Sequence, residues 1–229
     1  LNLVGDYGGG GLLLAFGVVC AILEARTSGK GQVVDAAMVE GASTLMASLH
    51  GLVAAGIHGP DRGCNLLDGG APHYNVYACA DGKWITIAPL EPQFRRVLFD
   101  RLGIDAATFP DLDDRASWPE ANERLAAIFA SRTRNEWGTL LEGSDACFAP
   151  VLDIGEAVAH PHNVARQSSV DIAGVVQPAP APKFSRTPSA LPTPPENPGQ
   201  STHTVLAAWD FSAARIAELA RLGVIPPTS

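Results

Sequence analysis

Two carboxylates stand where the chain changes character, and each is placed to exchange a proton. Asp6 follows the apolar stretch Leu3-Val4-Gly5 and precedes Tyr7 and four glycines, Gly8 to Gly11. A helix opening there would turn its partly positive end toward the carboxylate. The glycines would also let a ligand or a second backbone approach closely. Glu91 ends the run "WITIAPLE" and is followed by Pro92. It therefore marks a strand's end and a helix's start, a good position for acid/base work. Both residues have a plainer reading, Asp6 as an N-capping aspartate and Glu91 as a carboxylate favoured by a helix dipole. Asp68 in "LLDGGAP" is primarily turn chemistry, with a substrate-facing loop as the alternative. Tyr74 and Tyr77 alternate on a strand-like run; core packing is their default and a pocket-facing ring the alternative.

Other chemistries find little support. The glycine run is not G-x-x-x-x-G-K-[ST], and as a dinucleotide fingerprint it is incomplete and lacks a long preceding strand. The six histidines, at 50, 58, 73, 160, 162 and 203, show no ligand spacing, so no metal site is expected. No G-x-S-x-G elbow occurs, and no cysteine has an activating context. Cys20, Cys64, Cys79 and Cys147 are dispersed without a C-x-x-C pair. Reduced thiols and a cytoplasmic location are the expectation. The formal charge is −8, with 24 acids against 16 bases and no basic cluster, which argues against nucleic acid as a partner.

The elements that must position these residues follow from pattern. Leu12–Arg26 is apolar on nearly all faces, as in a fully buried helix; its apolar run is too short and glycine-interrupted for a membrane span. "TSGKGQ" is a turn, "QVVDAAM" a short β-like run, and a second helix is expected over about 36–55. A glycine-punctuated loop spans 58–74. "YNVYACADGKWITIAP" then predicts a hairpin around a type I′ Asp81-Gly82 turn. Helices are expected near 92–102, 118–131, 134–142 and 154–166, with a strand in "CFAPVLD". Eight of the 18 prolines lie between Pro178 and Pro198, so 176–199 reads as an extended connector. Two helical segments close the chain, Ser212 capping the second and Gly223 ending it.

Taken in order, these stretches resemble a known family. "NLVGDYGGGGLLLAFGVVCAILEARTSGKGQVVDAAMVEG", "RGCNLLDGGAPHYNVYACADGKWITIAPLEPQF", "APVLD", "HPHNVARQSSV" and "PKFSRTP" are similar to the α-methylacyl-CoA racemases of CoA-transferase family III. The resemblance implies an α/β fold: part of a Rossmann-like large domain, a smaller α+β domain, and assembly as an interlocked homodimer. It divides the chain into 1–57 of the large domain, 58–175 as the small domain, and 176–229 returning to the large domain.

The resemblance also implies a function. Family members invert the α-carbon of 2-methylacyl-CoA thioesters by 1,1-proton transfer through an enolate, CoA being part of the substrate and no separate cofactor being used. The aspartate of the family's "GD-[FY]-GGG" motif falls on Asp6 and the glutamate of its "EPQF" motif on Glu91. Leu67, Tyr74 and Leu90 would lie near the acyl chain, and backbone N–H groups near Gly8–Gly11 are candidate enolate donors. The second base is a histidine of a "GHD" motif that none of the six histidines matches. The chain, which starts with Leu, is thus expected to be a C-terminal fragment, inactive and aggregation-prone alone. The runner-up activity is CoA transfer between carboxylic acids, with the aspartate as nucleophile forming an anhydride.

Overall fold

The computed structural model describes residues 2–227, which divide by contact into two units, Leu1–Val151 and Leu152–Ser229. That division falls at 151/152, at neither of the boundaries expected near 57 and 175. The reason lies in the first unit's sheet, whose third strand ends at Val151.

The first unit begins with a π-helical segment, Leu3–Leu12, that runs without a break into α1 (Leu13–Ser28). Gly29, at φ +74°, ends α1 by donating its N–H to Ala25 O. None of α1 is buried, contrary to the expectation of a core helix. Leu3–Ser28 is 26 residues long and, by length and composition alone, apolar enough to cross a membrane, which the run Leu12–Leu23 taken alone was not. "QVVDAAM" forms no strand, because among the described residues no neighbouring strand pairs with it. The second helix is two, α2 (Met38–Leu45) and α3 (Ala47–Ala54).

The rest of the unit is a closed α+β body. Strands β1 (Asn75–Ala78), β2 (Trp84–Ile87) and β3 (Phe148–Val151) form an antiparallel sheet in that order, pairing Val76 with Thr86 and Thr86 with Ala149. Helices α4 (Pro92–Leu102), α5 (Trp118–Phe129) and α6 (Arg134–Leu141) supply its cover. The period-two pattern does the sorting. Ile85 and Ile87 are fully buried, while Trp84 between turn and sheet stays exposed. They join Tyr77, Leu98, Leu125, Phe129, Trp137 and Leu141 in one apolar cluster. Each such side chain contributes about 1.5–3 kcal/mol by leaving water. Aromatic rings lock it: Phe129 stacks on Tyr77 at 5.1 Å and meets Trp137 edge-on at 5.2 Å.

The hairpin turn is not the expected type I′. Only Gly82 has positive φ, at 72°, and its N–H donates to Cys79 O at 3.0 Å. This is a type I turn followed by a left-handed glycine. Asp81 stays out of the left-handed region, its carboxylate accepting from the backbone N–H of Lys83 and of Arg134.

The second unit carries α7 (Ile154–Ala159), α8 (Pro161–Ala165), the hairpin β4 (Ser169–Ile172) and β5 (Val175–Pro178), then α9 (Thr202–Ala208) and α10 (Ala213–Arg221). The expected single helix over 154–166 is broken at His160, whose ψ of 131° is the extended conformation that Pro161 imposes on the residue before it. The β4–β5 hairpin turns on Ala173 and Gly174, both at positive φ, so β5 occupies the first residues assigned to the connector. Ser212 caps α10 by accepting from Arg215 N. Gly223 follows α10 at φ +70°.

Candidate active site

Asp6 lies in the first turn of the π-helical segment, exposed, without a capping bond to any backbone N–H. It is therefore not the N-cap that pattern alone suggested; Asn2 holds that position with helical dihedrals. π-helical pairing is rare and recurs at functional positions. The glycines have a structural account of their own. Gly9 and Gly10 are buried where the segment crosses α2, and a Cβ on Gly41 would sit 1.8 Å from Gly9 O. Only two facing glycines allow such an approach. Gly8–Gly11 stand inside the segment, so their N–H groups serve its own i→i−5 pairing. Pairing within the segment leaves them unsuited to the expected role of free enolate donors.

Glu91 is the N-cap of α4, with φ −84° and ψ 144°, and Pro92 takes the first helical position. Its carbonyl accepts from Phe94 N and Arg95 N, but its side chain makes no capping bond. The carboxylate is thus exposed and uncommitted. Sheet geometry delivers it there: β2 runs on through Ala88, whose N–H donates to Cys147 O at 2.9 Å, to half-buried Leu90. Cys147, at φ 51°, is the nearby thiol. Burial pushes its pKa up first, and the negative charges of Glu91 and Asp145 push it further.

Leu67 and Tyr74 lie on the 58–74 loop, Leu67 exposed and Tyr74 half-buried. The loop is closed on a polar knot. Asn65, 1 % exposed, donates from Nδ2 to Asp68 Oδ2 at 2.8 Å, to Asp61 O at 3.0 Å and to Gly59 O at 3.2 Å. Its Oδ1 accepts from Gly59 N at 2.8 Å. Asp68 also accepts from Asn65 N at 2.7 Å and Gly63 N at 3.1 Å. These bonds, led by that from the Asn65 side chain, hold the Asp68 carboxyl below its ordinary range. Asp68 is accordingly a turn residue, as its Asp-Gly-Gly context suggests.

Next to this loop, buried His73 meets Trp118 edge-on at 6.4 Å, and its Nδ1 has no hydrogen-bond partner. Burial is the main cause that lowers its pKa; positive Arg95 adds to it and Asp113 opposes it. Arg95 and Asp113 themselves form a two-pronged ion pair, at 2.8 and 3.3 Å. A cavity of about 490 Å³ opens beside that pair, lined by Arg95, Arg96, Phe99, Phe109 and Asp111 among others. Neither Asp6 nor Glu91 lines it.

The structure thus sets Leu90 and Glu91 side by side and fixes the loop of Leu67 and Tyr74 on the same α+β body. Asp6 stands on the other part of the unit, and no hydrogen bond or ion pair joins it to Glu91 among the described residues. Asn65 and Asn122 carry no signal in the sequence. An asparagine in a turn or mid-helix carries no signal until its partners are known, and those of Asn122 lie 45 to 52 residues away.

Residues 2–204 match the family described as CoA-transferase family III. The chain is 41% identical over 222 residues to the alpha-methylacyl-CoA racemase of Mus musculus, covering 96% of this chain and 58% of the mouse protein. It is 39% identical to the Homo sapiens racemase, with the same coverage of each. It thus spans less than two thirds of these curated relatives. Among solved structures, a CAIB/BAIF family protein from Brucella suis superposes with a TM-score of 0.69 at 19% identity, over 87% of this chain and 54% of that one. That likeness establishes the α/β fold as the one these proteins share.

Proposed function

The chain belongs to CoA-transferase family III, and on that premise we propose that the protein carrying it racemises 2-methylacyl-CoA thioesters by proton transfer at the α-carbon. The observation that carries this reading is the pair of exposed carboxylates, Asp6 in the first turn of its π-helical segment and Glu91 at the N-cap of α4, neither of them spent on a capping bond. A carboxylate spent on a cap is held by that bond; these two are free to meet a substrate or a catalytic partner. The names of the mammalian relatives supply the substrate class.

In this mechanism the thioester carbonyl acidifies the α-carbon. A base on one face removes the α-proton, the planar enolate forms, and an acid on the other face returns a proton with inversion. Asp6 is one of the two groups. The other is a histidine supplied by the part of the relatives' length that this chain does not span, oriented by Glu91. The enolate oxygen needs donors already in place. Leu67, Tyr74 and Leu90 offer the acyl chain an apolar surface. CoA enters as part of the substrate, without a separate cofactor, and a homodimer that brings Asp6 and Glu91 to one site accounts for their separation within the chain.

Incubation of the intact protein with a 2-methylacyl-CoA in deuterated water tests this. Incorporation of deuterium at the α-carbon with loss of optical purity is expected, and Asp6→Asn should lower it by about 10²–10⁴-fold. Exchange of CoA onto free acids without α-deuteration would replace racemisation with CoA transfer. Full racemisation by Asp6→Asn would remove Asp6 from the chemistry.

A further inference from the structure

The 58–74 loop is tied down at a second place, by a residue outside every motif considered so far. Asn122, half-buried on α5, uses both ends of its amide. Its Oδ1 accepts from Asn75 Nδ2 at 3.1 Å and faces the Tyr77 hydroxyl at 2.9 Å. Its Nδ2 donates to Gly70 O at 3.0 Å. Asn75 in turn donates to Gly69 O at 3.0 Å. The Tyr77 hydroxyl also lies 2.6 Å from Pro72 O, so one buried phenol and two amides together hold the backbone of 69–72. Gly70 is the point of closest approach: a Cβ there would lie 2.4 Å from Cys64 C and 2.6 Å from Asn65 N. The loop is therefore folded onto itself at Gly70 and moored from there to α5 and β1.

We propose that Asn122 is a positioning residue for the acyl end of the substrate. It fixes, through Gly70 and Asn75, the segment that presents Leu67 and Tyr74. This rests on the racemase reading, which assigns those two side chains to the acyl chain. The Asn65–Asp68 knot sets the near end of the segment and Asn122 the far end, so Leu67 and Tyr74 lie between two fixed points. Loss of the far mooring leaves the fold of the sheet intact, because the apolar cluster of Ile85, Ile87, Leu125 and Phe129 does not depend on the amide. It frees the acyl-facing segment to shift. Misplacement of about 1 Å costs a reaction on the order of 10²-fold when the displaced group orients the substrate.

The test uses Asn122→Ala and Asn122→Asp in the intact protein. Asn122→Asp keeps the two acceptor contacts but sets a carboxylate oxygen against Gly70 O, so the bond given there is replaced by repulsion. α-Deuteration is measured with a short-chain and a long-chain 2-methylacyl-CoA, with free CoA as a competitive inhibitor. The expected result is a loss in kcat/KM at least about tenfold greater for the long chain, carried mainly by KM, with inhibition by free CoA unchanged. Asn122→Asp should show the same selectivity change, because it too releases Gly70 O. Amide hydrogen exchange gives a readout independent of turnover: amides of 66–74 should exchange faster in both variants, and those of β2 and α6 as before. Equal losses for both chain lengths would overturn the acyl-side role, and unaltered exchange of 66–74 would overturn the mooring. A wild-type protein without α-deuteration would overturn the racemase reading and the acyl assignment with it, while hydrogen exchange would still decide the mooring.

Discussion

Replacing Gly41 by alanine puts a methyl group where the crossing of α2 and the Asp6 segment has no room. The new carbon would lie 1.8 Å from Gly9 O, 2.5 Å from Gly9 C and 2.8 Å from Gly9 Cα, all of them backbone atoms. No rotamer can move backbone away, so the two helices must separate by about 1.5 Å to reach ordinary contact distance. Overpacking of this kind costs about 1–3 kcal/mol, and a rigid backbone obstacle puts the cost toward the upper end. Better helix propensity of alanine returns about 1 kcal/mol. The net expectation is a loss of about 1–2 kcal/mol in stability. Asp6 sits less than one turn from Gly9 and moves with the segment, so turnover should fall much further, on the order of 10²-fold. Gly51→Ala is the control. Gly51 lies inside α3 with nothing within 4 Å of a new Cβ, so the same substitution should stabilise by about 0.5–1 kcal/mol and leave turnover alone. Thermal unfolding and α-deuteration of the intact protein measure both. A Gly41→Ala protein with wild-type melting and turnover would refute the close crossing and its part in placing Asp6.

Phe129→Ala, which empties a site at 0 % exposure between Tyr77 and Trp137, should cost about 3–5 kcal/mol in denaturant titration; a cost under 1 kcal/mol would mean the cluster is not the core. His73 has a folded pKa below its ordinary value of 6.5, so the unfolded chain takes up a proton at that position more readily. Its contribution is fully present above pH 6.5 and is lost as pH falls from there through the lowered folded value. His73→Phe should flatten the fall in melting temperature between pH 7 and pH 5, and an unchanged slope would refute the assignment. The 229-residue chain expressed by itself leaves Leu3, Tyr7, Leu12, Phe16, Val19 and Leu23 exposed on one long helix, so it should self-associate in sedimentation or size-exclusion measurements. A monodisperse, cooperatively melting monomer would count against that.

The parts of the fold legible in the sequence are those whose signals are local. Pro92, Gly103 and the apolar spacing between them bound α4 closely, and the alternation in "WITI" sets β2 with Ile85 and Ile87 inward. Pro161 is equally local: it breaks the single helix expected over 154–166 into two. The burial of α1 was not legible, since an apolar helix looks the same whether or not its cover belongs to the same stretch of chain. "QVVDAAM" fails as a strand for a related reason: β propensity becomes a strand only beside a partner. At the candidate site, Glu91 is where the dipeptide Glu-Pro predicts, at the N-cap. That its carboxylate makes no capping bond is a property of the fold, as is the mooring of the 58–74 loop by Asn122 across 52 residues.

The two candidate carboxylates therefore rest on unequal foundations. Glu91 is held by a body that closes on itself: β2 leads to it, α4 starts from it, and Arg95, one turn on, is fixed by Asp113. A substitution must break that core before Glu91 moves far. Asp6 is held by one helix crossing at Gly9 and Gly41, on a segment with most of its apolar surface uncovered. Its placement depends on whatever covers Leu3–Ser28 in the intact protein. Variants that loosen the Gly9–Gly41 crossing should abolish the chemistry proposed for Asp6 while leaving the surroundings of Glu91 intact. The Cys147 thiol offers a way to see the difference, because the Glu91 charge helps to hold its pKa up. Glu91→Gln should make that thiol more reactive, whereas Asp6→Asn should leave it unchanged.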